Sequence, residues 1–233
     1  MADKGSVVIV GGTSVFGRRL AEHYVGQGRK VYATSRDQGR AEELAKQVGG
    51  NCVGLGLDLT KPHDIQGALA SVEDVDRVVL IAIVRDANSV KEFNIDNSTT
   101  FITVKLVSYM EVIHALLPQM REDASICLYG GNAREWPYPG STSVTIANGG
   151  ITHMVKTLGV ELAPRRVNAI HPSVVGDSPF WEDKPAVLDL HRSRTTIGRL
   201  VNVDDIVDAT VFLLENSAVS GVNLTVDGGT NLR

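Results

Sequence analysis

Two glycines six residues apart, Gly11 and Gly17, follow the short run Ser6-Val7-Val8-Ile9-Val10. Glycine has no side chain to hold a phosphate away from the backbone. A helix starting behind such a turn also offers unpaired N–H groups to the same anion. The segment Gly11-Gly12-Thr13-Ser14-Val15-Phe16-Gly17 therefore reads as a pyrophosphate-binding turn, with Gly11, Thr13, Ser14, Phe16 and Gly17 as its contacts. Val15 is the odd member. A β-branched side chain needs room and disfavours positive φ, so the turn is expected to bulge, tilt or hold its ligand differently.

The elements that would position this turn alternate along the chain. Strand-like runs are expected at Ser6–Val10, Lys30–Ser35, Asn51–Leu57, Arg77–Ile83, Ser125–Tyr129, Val167–His171 and Asn223–Asp227. Between them lie helically spaced apolar residues such as Leu20-Ala21-Tyr24, Leu44-Ala45-Val48 and Ile206-Ala209-Leu213. Strands that alternate with helices imply parallel pairing, because parallel neighbours need crossover connections. Right-handed crossovers then give an α/β fold, a doubly wound, Rossmann-like parallel sheet of about seven strands with helices on both faces. Its ligands sit at the carboxyl ends of the strands. The 233 residues suit one domain spanning 1–233,. The longest irregular stretch, about 172–197, carries Phe180 and Trp181 and reads as a functional loop rather than a plain surface one,.

Composition narrows the function classes. Apolar residues at 43% and charged residues at 21% support a packed core rather than a disordered chain,. A net charge of −4 with the two signs interspersed argues against nucleic-acid and anionic-membrane partners,. The apolar run from Val78 to Val84 is too short to span a bilayer, and Met1-Ala2-Asp3-Lys4-Gly5 carries no apolar signal segment, so a cytoplasmic location is expected,. Cys52 and Cys127 sit in strand-like runs and read as reduced core residues, so neither a metal site nor a disulfide is expected,.

The turn at Gly11–Gly17, the segment Glu161-Leu162-Ala163-Pro164-Arg165-Arg166-Val167-Asn168-Ala169-Ile170-His171-Pro172 and the closing Val226-Asp227-Gly228-Gly229 together resemble the short-chain dehydrogenase/reductase family along nearly the whole chain. The resemblance implies further cofactor contacts. Arg36 stands where the family reads the adenosine ribose. Its planar fork suits a 2′-phosphate, which favours NADP(H) over NAD(H), although Asp37 beside it is a competitor,. Asp58-Leu59 matches the step after the third strand that meets the adenine amino group. Ala82 is the one residue kept from the family's Asn-Asn-Ala-Gly at the fourth strand.

That family uses a Tyr with a Lys four residues later. The five tyrosines here, at 24, 32, 109, 129 and 138, are followed at that spacing by Gly28, Arg36, Ile113, Ala133 and Thr142. Counting back from Glu161-Leu162-Ala163-Pro164, the family's Lys falls on Asn148, its Tyr on Val144 and its Ser on Gly131. The Asn of its fourth helix falls on Asp96. In the family the phenol protonates the nascent alkoxide, the Lys lowers the phenol pKa and holds the ribose, and the Ser polarises the carbonyl. Val144 does none of this, whereas Asn148 retains hydrogen bonding to a ribose hydroxyl. By position along the chain, Tyr129 is the first candidate substitute donor and Tyr138 the second.

Two readings result. The first is an atypical NADP-dependent oxidoreductase acting on a small or aromatic carbonyl or alcohol without the Tyr-Lys pair, assembled as a homodimer or homotetramer. The second is a non-redox protein on the same frame: a nucleotide-binding sensor or partner subunit, or a cyclase or isomerase using the emptied pocket.

Overall fold

A computed structural model describes residues 4–232; Met1–Asp3, on which much of the N-terminal reading rests, and Arg233 lie outside the described residues. Seven parallel strands form one sheet: β1 (Ser6–Val10), β2 (Val31–Ser35), β3 (Cys52–Gly56), β4 (Val75–Leu80), β5 (Met120–Tyr129), β6 (Arg166–Pro172) and β7 (Asn223–Val226). Their order is β3-β2-β1-β4-β5-β6-β7. The winding reverses between β1 and β4, where Val10 pairs with Leu80. A crevice opens at such a reversal because the connections leave the two strands toward opposite faces.

The strands form where β-branched residues run together, and alternation along them assigns their side chains to two cores. Val8, Val10, Val78, Leu80, Ile126 and Leu128 face one way, against α5 (Ser108–Leu116) and α6 (Thr142–Glu161). Val7, Ile9, Val79, Cys127 and Tyr129 face the other way, against α1 (Val15–Gly26) and α8 (Val203–Glu215). The remaining helices are α2 (Gln38–Val48), the single turn α3 (Ile65–Ala68), α4 (Ile95–Ile102) and α7 (Pro185–Arg194). Both cysteines are free, Cys127 fully buried and Cys52 half-buried.

Helices α4 and α5 are joined by a π-helical turn, Thr103–Val107. Together they make one helix from Ile95 to Gln119, long and apolar enough by length and composition to cross a membrane. Its Val104, Tyr109, Val112, Ile113 and Leu116 are packed into the first core, as a core helix requires. A π turn carries an extra residue relative to regular helix, so it shifts the side chains that follow it.

Most strand ends fall within two residues of expectation, and three differences are larger. Strand β4 stops at Leu80 rather than Ile83, because the N–H groups of Ile81 and Ala82 both turn onto the single carbonyl of Val10. Strand β5 begins at Met120, ahead of Ser125. The stretch 172–197 is not irregular throughout: a short 3-10 turn at Pro179–Trp181 leads into α7, which starts with Pro185, a residue whose fixed φ suits the first helical position,.

Candidate functional site

The glycine turn is built by its own residues. Ser14 caps α1, its Oγ accepting from the Gly17 N–H at 3.0 Å and donating to the Gly11 carbonyl at 2.7 Å. Gly11 has φ +96°, and a Cβ there would meet the Ala82 nitrogen at 2.7 Å. A Cβ on Gly17 would stand 2.3 Å from the Gly11 carbonyl oxygen. Backbone therefore packs on backbone at both positions, and β1, α1 and the end of β4 meet there. Val15 causes no bulge: it is the first residue of α1 and is not among the residues with positive φ. The expected backbone strain does not arise, because the middle of this turn is already helical.

A cleft of about 600 Å³ opens at the carboxyl edge above the β1/β4 reversal. At one end it is lined by Gly11, Thr13–Phe16, Thr34–Arg36, Arg40 and Leu57–Thr60. Its middle is apolar, with Ile81, Ala82, Ile83 and Val84. The far end holds Lys105, Tyr129, Gly130, Phe180 and Trp181. Of the expected cofactor contacts, Gly11, Thr13, Ser14, Phe16, Arg36, Asp58, Leu59 and Ala82 line it, while Gly17 stands behind the wall as support and Asn148 is not in the lining.

Arg36 is exposed at the end of β2, and Arg40 joins it on the same wall. The competing carboxylate is engaged elsewhere: Asp37 caps α2, its Oδ1 accepting from the Arg40 N–H at 2.9 Å. Asp58 makes a local turn, with Oδ1 accepting from the Thr60 N–H at 3.0 Å and the Thr60 hydroxyl at 2.8 Å. It precedes the helical turn Pro62–Asp64 but does not cap it, since Lys61 holds that position.

The structure tests whether these groups fit a phosphorylated dinucleotide. Backbone lies bare at Gly11, and the first turn of α1 leaves N–H groups without intrahelical acceptors. Two guanidinium groups stand at one end, with an apolar trough between them and the far wall. The donor set and the volume both suit such a ligand.

The far end differs more from expectation. Tyr129 is removed as a proton donor: its hydroxyl pairs with the Thr210 hydroxyl at 2.7 Å in the core beneath α8, and burial pushes its pKa well up. The alternation of β5 turns it toward the α1/α8 face. Tyr138 is exposed in the loop before α6 and does not line the cleft; partial burial raises its pKa, while Arg85 opposes the rise. Asp96 is also corrected. It is exposed in the first turn of α4, behind the N-cap Asn94, and does not line the cleft. The part of that helix reaching the cleft is the π turn, through Val104 and Lys105.

Val144 is half-buried near the start of α6, and Asn148 is buried one turn later. A Cβ on Gly131 would come within 2.7 Å of the Asn148 Nδ2, so the amide occupies space that a larger residue at 131 would claim. The same complementarity holds next door. A Cβ on Gly130 would overlap the His171 ring at 2.2 Å. His171 is fully buried, its Nδ1 accepting from the Gly131 N–H at 3.2 Å and its Nε2 lying 2.9 Å from the Asn223 Oδ1. Burial depresses its pKa to about 4, with a contribution from Lys105 among others. The ring is thus neutral, protonated on Nε2 to match the asparagine oxygen.

Sequence reasoning missed Lys105, Arg40 and the pairing of Arg85 with Phe180. Lys105 is 1% exposed, and its Nζ donates to the Tyr109 hydroxyl at 3.3 Å, which in turn donates to the Ala82 carbonyl at 2.8 Å. Burial lowers its pKa to about 7. Its signal was legible: a lone lysine in an apolar helical run, with a tyrosine four residues on. Arg85 lies 3.4 Å over the Phe180 ring and the Lys184 ammonium 3.9 Å from the same centroid, which ties the 172–197 segment to the cleft wall,.

A family model described as enoyl-(acyl carrier protein) reductase matches residues 11–231. A 3-oxoacyl-[acyl-carrier-protein] reductase of Bos taurus is 26% identical over 232 residues, covering 96% of this chain and 97% of the relative. A 2-(S)-hydroxypropyl-CoM dehydrogenase 3 of Xanthobacter autotrophicus is 27% identical over 242 residues, covering 96% and 95%. Among solved structures, a short-chain dehydrogenase/reductase from Brucella melitensis superposes with a TM-score of 0.89 at 22% identity, over 98% of this chain and 99% of that one.

Proposed function

The chain belongs to the short-chain dehydrogenase/reductase family, and from that premise we propose that it is an NADP(H)-dependent oxidoreductase for a small or aromatic carbonyl or alcohol, working without the family's Tyr-Lys pair. The observation that carries this reading is one continuous cleft joining the Gly11–Phe16 turn to the guanidinium groups of Arg36 and Arg40. When bound, a nicotinamide cofactor supplies the hydride.

The chain's own residues then bind and orient. Gly11, Thr13, Ser14 and Phe16 accommodate the pyrophosphate, with Gly17 keeping the turn closed. Arg36 and Arg40 pair with a 2′-phosphate, and Asp58 with Leu59 borders the adenine. Ile81, Ala82, Ile83 and Val84 form an apolar wall that excludes water from the trough between the two polar ends,. Asn148 stands behind the lining, its amide packed beside Gly131. The 172–197 segment covers the substrate end as a flap, held by Phe180 between Arg85 and Lys184.

The same proposal includes a cytoplasmic location and a homodimer or homotetramer. Val107, Met110 and Ile146 are exposed apolar residues on the helices of one sheet face, the kind of surface a second copy would cover,. Titration of the purified protein with NADPH and with NADH, followed by nicotinamide fluorescence, tests the core of the reading. Saturable binding with preference for NADPH is expected. Binding of neither cofactor would end the redox reading and leave the non-redox alternative.

A further inference from the structure

Lys105 is a buried amine without an acid. The elements packed against its π turn are α4, α5, α6 and the short turn Pro62–Asp64. The groups they present can be taken in order. From α5, the Tyr109 hydroxyl accepts from Nζ, while Glu111 accepts from Gln66. His114 of α5 is exposed; so are Asp96 from α4, His63 and Asp64 from the short turn, and His153, Lys156 and Glu161 from α6. His171, on β6, is neutral and close enough for its pKa to register the lysine's charge. Asp58 lines the same cleft but is turned onto Thr60. Among the described residues no carboxylate holds the lysine charged, and burial is the cause of its shift, toward about 7.

An uncompensated lysine is costly in a core, because a buried ammonium loses its hydration without a partner. A methionine of similar length would fill the same space at no such cost. Lys105 nevertheless lines the cleft, at the end that also holds Tyr129 and Gly130. Its Nζ is also held in place. Tyr109, four residues on and on the same helix face, fixes it through the Tyr109-to-Ala82 hydrogen bond,.

We propose that Lys105 is the proton-handling residue of this cleft, its ammonium giving a proton to the oxygen of a carbonyl substrate, with Tyr109 as the positioning residue that aims it. This rests on the oxidoreductase reading above. In the reductive direction an Nζ–H bond breaks and its electron pair stays on nitrogen. The new O–H bond uses the pair released from the C=O π bond, as the carbon accepts a hydride from the reduced nicotinamide. Lys105 ends neutral and regains a proton from water through the open cleft. In the oxidative direction the neutral amine takes the alcohol proton.

The test has a readout independent of turnover. Protein labelled with [ε-13C]lysine carries eight lysines, and the Lys105 resonance is the one lost in Lys105→Met. That resonance should titrate near 7 in the cofactor-free protein; a midpoint at or above the ordinary lysine value of about 10.4 would overturn the inference. Lys105→Met should keep its fold by circular dichroism and bind NADPH within about 3-fold of the parent. Its kcat for reduction should fall by about 10²–10⁴, the usual worth of a general acid. In the parent, kcat for reduction should fall as pH rises through the Lys105 midpoint, and the variant should lose that limb. A variant with weakened NADPH binding but unchanged kcat would show that Lys105 only holds cofactor, which also overturns the inference. The two levels fail differently: absence of NADPH binding to the parent removes the oxidoreductase reading and this role with it. NADPH binding alongside a Lys105 midpoint near 10.4 removes this role alone.

Discussion

Replacement of Arg36 by alanine should weaken NADPH binding while leaving NADH nearly unchanged, and the structure sets the size of the effect. Arg36 and Arg40 are both exposed on the cleft wall, so water screens them and a buried-pair energy does not apply,. A charge-assisted bond from a guanidinium to a phosphate at such a site is worth about 1–2 kcal/mol, or about 5- to 30-fold in affinity. Arg40→Ala should lose less, because its longer-range share is Coulombic and falls with salt. The double variant should lose about 10- to 300-fold for NADPH and under about 3-fold for NADH, provided the two arginines act independently. Fluorescence titration at low and at near-physiological ionic strength reads both quantities, since the Debye length shortens from about 30 Å at 0.01 M salt to about 8 Å at 0.15 M. The NADPH advantage of the parent should shrink with salt, and that of the double variant should be absent throughout. Equal losses for the two cofactors would refute the 2′-phosphate assignment. A loss reproduced by Asp37→Ala would instead point to the α2 cap, because Asp37 holds the Arg40 N–H and not the ligand.

Other outcomes follow from the same geometry. Gly17→Ala puts a Cβ 2.3 Å from the Gly11 carbonyl, backbone against backbone, so about 1–3 kcal/mol of stability should be lost in urea unfolding together with NADPH affinity,; an unchanged midpoint would show that the turn can open freely. His171 is held neutral at about 4 against an ordinary 6.5, so the unfolded chain takes up the proton first as pH falls,. Stability should be complete above about 6.5 and decline by about 3 kcal/mol on acidification to about 4, a slope that His171→Gln should lack and whose persistence in the variant would assign it to other groups,. Val144→Tyr with Asn148→Lys should raise carbonyl reduction over the parent in a panel assay; a fall in activity with NADPH binding intact would show that the pair no longer has room beside the present floor.

Most strands were legible as short runs rich in β-branched residues, as in β1 and β4, whereas β3 and β5 each carry only one such residue and show through their apolar ends,. The glycine turn was legible for the same local reason. What stayed hidden depended on which way a side chain points. Tyr129 ends β5 at the edge of the cleft, yet strand alternation places it with Cys127 under α8, and period two alone does not say which face is which,. Asp96 was matched by its place in the Asn94–Asn97 stretch, whereas the position that reaches the cleft is set by the π turn between α4 and α5, an insertion with no compositional mark,. Asp37 carried its own signal: an acid directly before a helical stretch is better placed to cap it than to read a ribose.

The floor of the cleft bears on whether this pocket is a remnant or a rebuilt site. Loss of function without replacement leaves substitutions independent of one another, each judged by its own packing. Here they are paired. Gly131 lacks a Cβ where the Asn148 amide stands, and Gly130 lacks one where His171 stands. His171 is in turn fixed at both nitrogens by the Gly131 N–H and Asn223. Lys105 and Tyr109 repeat the lysine–tyrosine spacing of four in reversed order on a different helix, joined by a hydrogen bond and anchored to Ala82 on the cleft wall. A buried lysine is among the first residues that drift toward stability would replace, since methionine there removes an uncompensated charge at no loss of volume. Its presence beside mutually fitted small residues is what a site under functional constraint requires, because such sites retain local arrangements that a purely structural core would discard.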